Sequence, residues 1–219
     1  MSTTMPTTPA TPFAFPDHTP HSAPAASRPA VEATAKRLGY LPAGVARLAT
    51  SPQLLNGFLE LSALFETTTL DPLAREVLIM TIATRNGCHL CVAMHTAKLT
   101  ALTTPPDTEP LLSALRAQQP LPEPRLEAIR RFTLAVLDTA GDVDPAALQA
   151  FLTHGYTPRN ALEVVLGIGA YTLSTLANRL TQAPVDAPLA PYAWHPTAEG
   201  APAPTEDAVR HRIPGSAHP

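Results

Sequence analysis

The sequence predicts an all-α fold, a helical bundle of the kind built by packing apolar helix faces together. Three observations predict it. The apolar content is mostly Ala and Leu, and only 5% of the residues are aromatic, a balance that favours helices over sheets. Capping residues stand directly before prolines at Ser51-Pro52, Asp71-Pro72, Asp144-Pro145 and Thr157-Pro158. Finally, no stretch alternates with period two, whereas Leu54, Leu55, Phe58, Leu61 and Phe65 recur at helical spacing, as do Leu126, Ile129, Thr133, Val136, Leu137 and Ala140.

The elements follow in order. Residues 1–30 are rich in Pro, Thr, Ser and Ala without periodicity and read as a disordered arm. Shorter helices are expected near 30–38, 42–50 and 108–118. At each cap-proline pair the cap's side-chain oxygen accepts from an orphan N–H, and proline at the first helical position has no N–H to waste. These signals and the apolar periodicity place helices near 52–66, 72–86, 88–102, 122–140, 145–154 and 158–180. Asn86-Gly87 divides two of them, since both residues tolerate the left-handed conformation at a helix end. From 183 onward, Pro184, Pro188, Pro191 and Pro196 break any helix and the chain reads as a tail. Within it Tyr192 and Trp194 are an aromatic pair suited to docking on the same domain or a neighbour. The helical domain is therefore expected over 31–182. A faint internal echo also links Asp71-Pro72…Glu76-Val77 to Thr157-Pro158…Glu163-Val164, as a duplicated helical unit would.

Composition excludes several classes. The formal net charge is −3, and no basic stripe suggests nucleic acid. Apolar stretches such as 164–176 are interrupted and fall short of the ~20 residues of a membrane span. No charged segment followed by an apolar core marks a signal peptide. The expected compartment is the cytoplasm, and no cofactor motif is present.

The chemistry concentrates at Cys88-His89-Leu90-Cys91, which holds the chain's 2 cysteines. In a reducing compartment that spacing suits catalysis or metal binding better than a structural staple. With Cys88 in the first turn of a helix, the free N–H groups there favour its thiolate. Cys91 lies on the same face, within disulfide reach, and His95 one turn further on. A neutral imidazole there can take the Cys91 proton, and an imidazolium can hold the thiolate. Glu76 sits on an apolar face of the preceding helix, where an unpaired charge is costly. Its partner is either His95, if the helices form a hairpin, or a boundary arginine such as Arg75. His89 reads as exposed, with a tuning role as its alternative. Asn178 and Arg179 border either the site or merely a helix end. A metal set of Cys88, Cys91 and His95 is disfavoured, because i, i+3 and i+7 positions spread over about 10 Å of helix rise.

The arrangement Glu76, Cys88-x-x-Cys91, His95, within Leu70–Ile79 and Asn86–His95, resembles the alkylhydroperoxidase D (AhpD)-like proteins of the carboxymuconolactone decarboxylase superfamily. The likeness runs more weakly over residues 38–190. It implies an all-helical fold, usually in trimers or hexamers, and a thiol-dependent peroxidase or disulfide reductase. On the matching positions, Glu76 and His95 would form a proton relay activating Cys91. Cys91 would become a sulfenic acid, and Cys88 would resolve it to a disulfide that an external dithiol system reduces. The sequence departs from the better-characterised peroxidases at Leu90, where they carry a histidine directly before the second cysteine. The residues alone leave open which cysteine meets the peroxide: the helix terminus favours Cys88 as the acidic thiol, and His95 favours Cys91. Competing functions are a non-enzymatic redox-responsive or scaffold protein and a metal-binding module.

Overall fold

A computed structural model describes residues 15–195. Among them are nine α-helices, one short 3-10 helix and no strand. The helices are α1 (Arg28–Leu38), α2 (Ala43–Leu48), α3 (Pro52–Glu66), α4 (Pro72–Arg85), α5 (His89–Leu102), α6 (Thr108–Arg116), α7 (Pro124–Asp138), α8 (Pro145–Thr153) and α9 (Pro158–Leu180), followed by the 3-10 helix Ala187–Tyr192. The expected all-α bundle is observed.

The capping logic operates as the sequence predicts. Ser51, Asp71 and Asp144 accept the N–H groups of Leu54, Ala74 and Ala146, each with proline opening the helix. Thr157 and Asn160 form a reciprocal capping box at α9. The weaker helices α1, α2 and α6 also form.

α4 is the hub. Ten of its residues, including Glu76, Ile79, Met80 and Ile82, are buried, as expected of a helix with packed neighbours on all sides. α5, α6, α7 and α9 surround it. α9 runs alongside both α3 and α4. It has 23 residues, and an 18-residue window of it with mean hydropathy 1.2 is long and apolar enough to cross a membrane, although the stretch 164–176 alone falls short; half of that window is buried in the bundle. A stack of Phe132, Phe151 and Tyr156, with centroids 4.3 Å apart at each step, fastens α7 and α8 to the entry of α9. α1, α2 and α3 build a smaller core around Val31, Leu48 and Leu55.

Both boundaries of the helical domain differ from expectation. Residues 17–27 pack on the bundle: Asp17 pairs with Arg47 at 2.6 Å, and the buried Ser27 donates to the Ala49 carbonyl at 2.7 Å. The expected arm therefore falls within the described residues from 15 onward, and residues 1–14 lie outside them. Beyond 182 the chain also holds on. Asp186 accepts from the N–H of Ala43 at 2.9 Å, capping α2, whose own N-cap position is Pro42. Trp194 is buried and donates to the Arg116 carbonyl at 3.2 Å. Trp194 thus docks on its own domain, one of the two partners expected for the aromatic pair, whereas nothing in the polar, proline-rich composition signals the contacts of Asp17, Ser27 and Asp186. Residues 196–219, with the remainder of the expected tail, lie outside the described residues.

The echo places its carboxylates differently. Glu76 follows its proline by four residues and Glu163 by five, a difference of about 100° around a helix. Glu163 accordingly faces the loop at Thr69, accepting from its N–H at 3.0 Å and its hydroxyl at 2.8 Å.

Candidate functional site

The site grows from the α4–α5 corner. Gly87 adopts φ 64, a conformation that costs glycine nothing. The N–H of Cys88 returns to the Ala83 carbonyl at 2.9 Å, closing the end of α4. α9 holds the corner from outside: Asn86 donates to the Thr175 hydroxyl at 2.9 Å, and Arg179 donates to the Asn86 carbonyl at 2.5 Å.

Cys88 is the N-cap of α5, one position before the first turn expected for it. The electrostatic consequence survives. A hydrogen bond from the Cys91 thiol outweighs burial, and the N–H groups of Cys91 and Leu90 and the Arg179 charge help to hold the Cys88 thiol below its ordinary range. The sulfurs are 2.8 Å apart, close enough to share a proton and too far for a disulfide bond. Cys91 moves the opposite way. The contact with Cys88, burial and the Cys88 charge raise it well above the ordinary thiol range, while Asn178 Nδ2, 3.4 Å from its sulfur, opposes them. Cys88 is therefore the first of the pair to ionise.

The hairpin of α4 and α5 brings Glu76 to His95, with Nδ1 2.5 Å from Oε2. Both side chains are buried. Burial pushes the Glu76 carboxyl up, but the His95 charge and hydrogen bond and Lys98 outweigh it, so the group stays ionised. A carboxylate only accepts, so a hydrogen sits on Nδ1 and the Nε2 edge of the ring is left for chemistry. Of the two partners the sequence left open for Glu76, His95 is the observed one. Arg75 turns instead to Glu66 at 3.3 Å.

The direct Cys91–His95 proton transfer is not observed. Among the described residues no hydrogen bond joins His95 to either sulfur. The two groups instead line one cavity of about 150 Å³. Leu38, Val45, Phe58 and Met94 give it an apolar wall. His89 is exposed, as expected, but its Nδ1 lies 2.9 Å from the Trp194 carbonyl. Two groups escaped sequence reasoning. Lys98 lies one turn beyond His95, with Nζ 3.3 Å from Glu76 Oε1, and the i, i+3 spacing was the signal for it. Tyr171 stands edge-on to the His95 ring at 5.7 Å, and nothing in the apolar run of α9 singles it out.

No protein-family model matches the chain, and no curated protein does. Solved structures do match. One is an AhpD core, an uncharacterized peroxidase-related protein from Ralstonia eutropha JMP134, with 21% identity and a TM-score of 0.68 over 82% of this chain and 96% of that one. Another is an uncharacterized peroxidase-related protein from Silicibacter sp. TM1040, with 20% identity and a TM-score of 0.66 over 86% and 97%. A third is the debrominase Bmp8, with 17% identity and a TM-score of 0.60 over 76% and 89%. A variant of that debrominase is in complex with 2,3,4-tribromopyrrole.

Proposed function

From its AhpD-core fold, we propose that the chain is a thiol-dependent peroxidase, a dithiol oxidoreductase that reduces hydroperoxides. The observation that carries this reading is the pairing of two sulfurs 2.8 Å apart with a Glu76–His95 couple that shares a cavity with Cys91.

The steps balance. Cys91 passes its proton to the Cys88 thiolate, and Asn178 holds the charge that appears on Cys91. The Cys91 sulfur attacks the outer peroxide oxygen and the O–O bond breaks. The departing alkoxide takes a proton from the His95 imidazolium, whose charge the Glu76 carboxylate balances. The Cys88 sulfur then attacks the Cys91 sulfenic acid, and hydroxide leaves with the Cys88 proton as water. An external dithiol reduces the disulfide, as suits a reducing compartment such as the cytoplasm. We further propose that the chain works as a homo-oligomer, through the outer face of α9.

The test is peroxide consumption with a dithiol donor, together with the mass of the oxidised protein. Wild type is expected to turn over and to lose two hydrogens. Cys88→Ser and Cys91→Ser are each expected to lose at least about a hundredfold in rate, the scale typical of losing a nucleophile or its partner. Undiminished turnover in the double variant would sink the reading. Stoichiometric oxidation without turnover would favour a redox-responsive protein. The debrominase neighbour supports one other reaction class, and bromide release from a brominated pyrrole, without peroxide consumption, would favour it.

A further inference from the structure

The two sulfurs open on different sides of the corner. Cys91 lines the apolar cavity with His95. Cys88 lines a second, more polar cavity of about 400 Å³, walled by Gly87, His89, Arg179 and the chain at Pro184. Asn178 and Leu90 line both, standing as the partition between them. Arg179 is the only fixed charge among the residues lining the second cavity, and it is exposed.

We propose that the second cavity is the docking site of the reductant, a dithiol bearing or flanked by anionic groups, and that it takes the disulfide at Cys88. This rests on the dithiol function proposed above. The division gives each sulfur its own route: an oxidant that has filled the Cys91 cavity does not exclude the donor from Cys88.

The exchange balances without further reagents. One thiolate of the donor attacks Cys88 Sγ, and the Cys88–Cys91 bond breaks. Cys91 leaves as a thiolate, accepting the Asn178 amide hydrogen bond. A thiolate on Cys88 is the main reason that Cys91 keeps its proton in the reduced pair; in the mixed disulfide that charge is gone, which makes Cys91 a better leaving group. Cys91 then takes the proton of the donor's second thiol. That thiolate attacks the donor sulfur of the mixed disulfide, releasing the cyclic donor disulfide and the Cys88 thiolate, with Arg179 beside it.

The test starts from disulfide installed with diamide, so it runs whether or not hydroperoxide is a substrate. Oxidised protein is mixed with glutathione, an anionic monothiol that cannot complete the exchange, quenched in acid and mapped by peptide mass. The adduct is expected on Cys88, and an adduct on Cys91 overturns the proposal. Pro184→Phe, at the rim of the second cavity, is expected to slow reduction by dithiothreitol at least about tenfold more than it slows disulfide formation by cumene hydroperoxide, roughly the effect of steric exclusion worth one decade. The mass of acid-quenched protein, two hydrogens lighter when oxidised, reports each half. Equal slowing of both halves overturns the routing. Arg179→Glu is expected to raise the KM for dimercaptosuccinate at least about tenfold more than that for uncharged dithiothreitol. An equal change for the two donors overturns the anionic assignment. If diamide disulfide is reduced through Cys88 while hydroperoxide never forms it, the peroxidase reading fails and the docking site stands.

Discussion

Glu76 shows how one carboxylate sets the character of the site. It is buried, yet the opposing charge of His95 and the Lys98 ammonium hold its carboxyl below the ordinary value of 4.5. The sign of its linkage follows. Between the folded and unfolded values the unfolded chain binds the proton and the folded chain does not, so acid favours unfolding. The stabilisation from Glu76 is thus fully present above pH 4.5 and is lost as pH falls through the depressed folded value. Glu76→Gln removes this titration. Denaturant melts are expected to show a wild-type advantage over Glu76→Gln at neutral pH that shrinks as pH falls below 4.5; a gap independent of pH would mean that the pair contributes through shape alone. In the same variant His95 loses its balancing charge, and peroxide turnover is expected to fall at neutral pH by about ten- to a hundredfold, the scale of a weakened acid–base partner.

Helix approaches explain why two glycines are where they are. A Cβ at Gly167 of α9 would lie 2.6 Å from the Phe65 ring and 2.9 Å from Leu78, both fully buried. A Cβ at Gly44 of α2 would lie 2.8 Å from Asn178 Oδ1 and 3.1 Å from Leu90. The first obstacle is rigid core and the second is a side-chain amide. Gly167→Ala is therefore expected to cost about 1–3 kcal/mol, the range for overpacking, read as a lower Tm. Gly44→Ala is expected to cost less stability but to push the Asn178 amide off Cys91, slowing disulfide formation by peroxide. The prediction fails if Gly44→Ala loses stability without loss of rate. Such approaches were not legible in the sequence, because spacing within a helix says nothing of which helix it meets. What was legible was local: caps before prolines set the starts of α3, α4, α8 and α9, and Asn86-Gly87 placed the corner. Glu76, Cys88, Cys91 and His95 were found by type and spacing. The gap between His95 and Cys91, the role of Asn178 and the hold of Trp194 on His89 depend on tertiary packing, and no local pattern encodes them.

At the scale of the molecule, the outer face of α9 is the surface least explained by a single chain. Leu162, Val165, Leu176 and Leu180 are 73%, 50%, 53% and 71% exposed. Between Arg159 and Arg179 the only charged residue of α9 is the buried Glu163. The apolar stripe from 162 to 180 spans about 27 Å at ~1.5 Å per residue, and apolar patches of that extent mark contact surfaces. A second copy suits it better than a charged partner would, since an uncharged stripe is complementary to itself across a two-fold axis. The opposite side of the same helix carries Asn178 and Ser174 into the Cys91 cavity. Covering α9 would thus stiffen the wall that positions the reactive sulfur. Sedimentation equilibrium is expected to give a multiple of the monomer mass. Leu162→Glu with Leu176→Glu should return the monomer with its helical content intact. If the wild type sediments as a monomer throughout the micromolar range, the stripe is not a subunit interface; if the double variant remains assembled, the contact lies elsewhere. Should the monomer also oxidise more slowly, α9 couples assembly to the dithiol through Asn178.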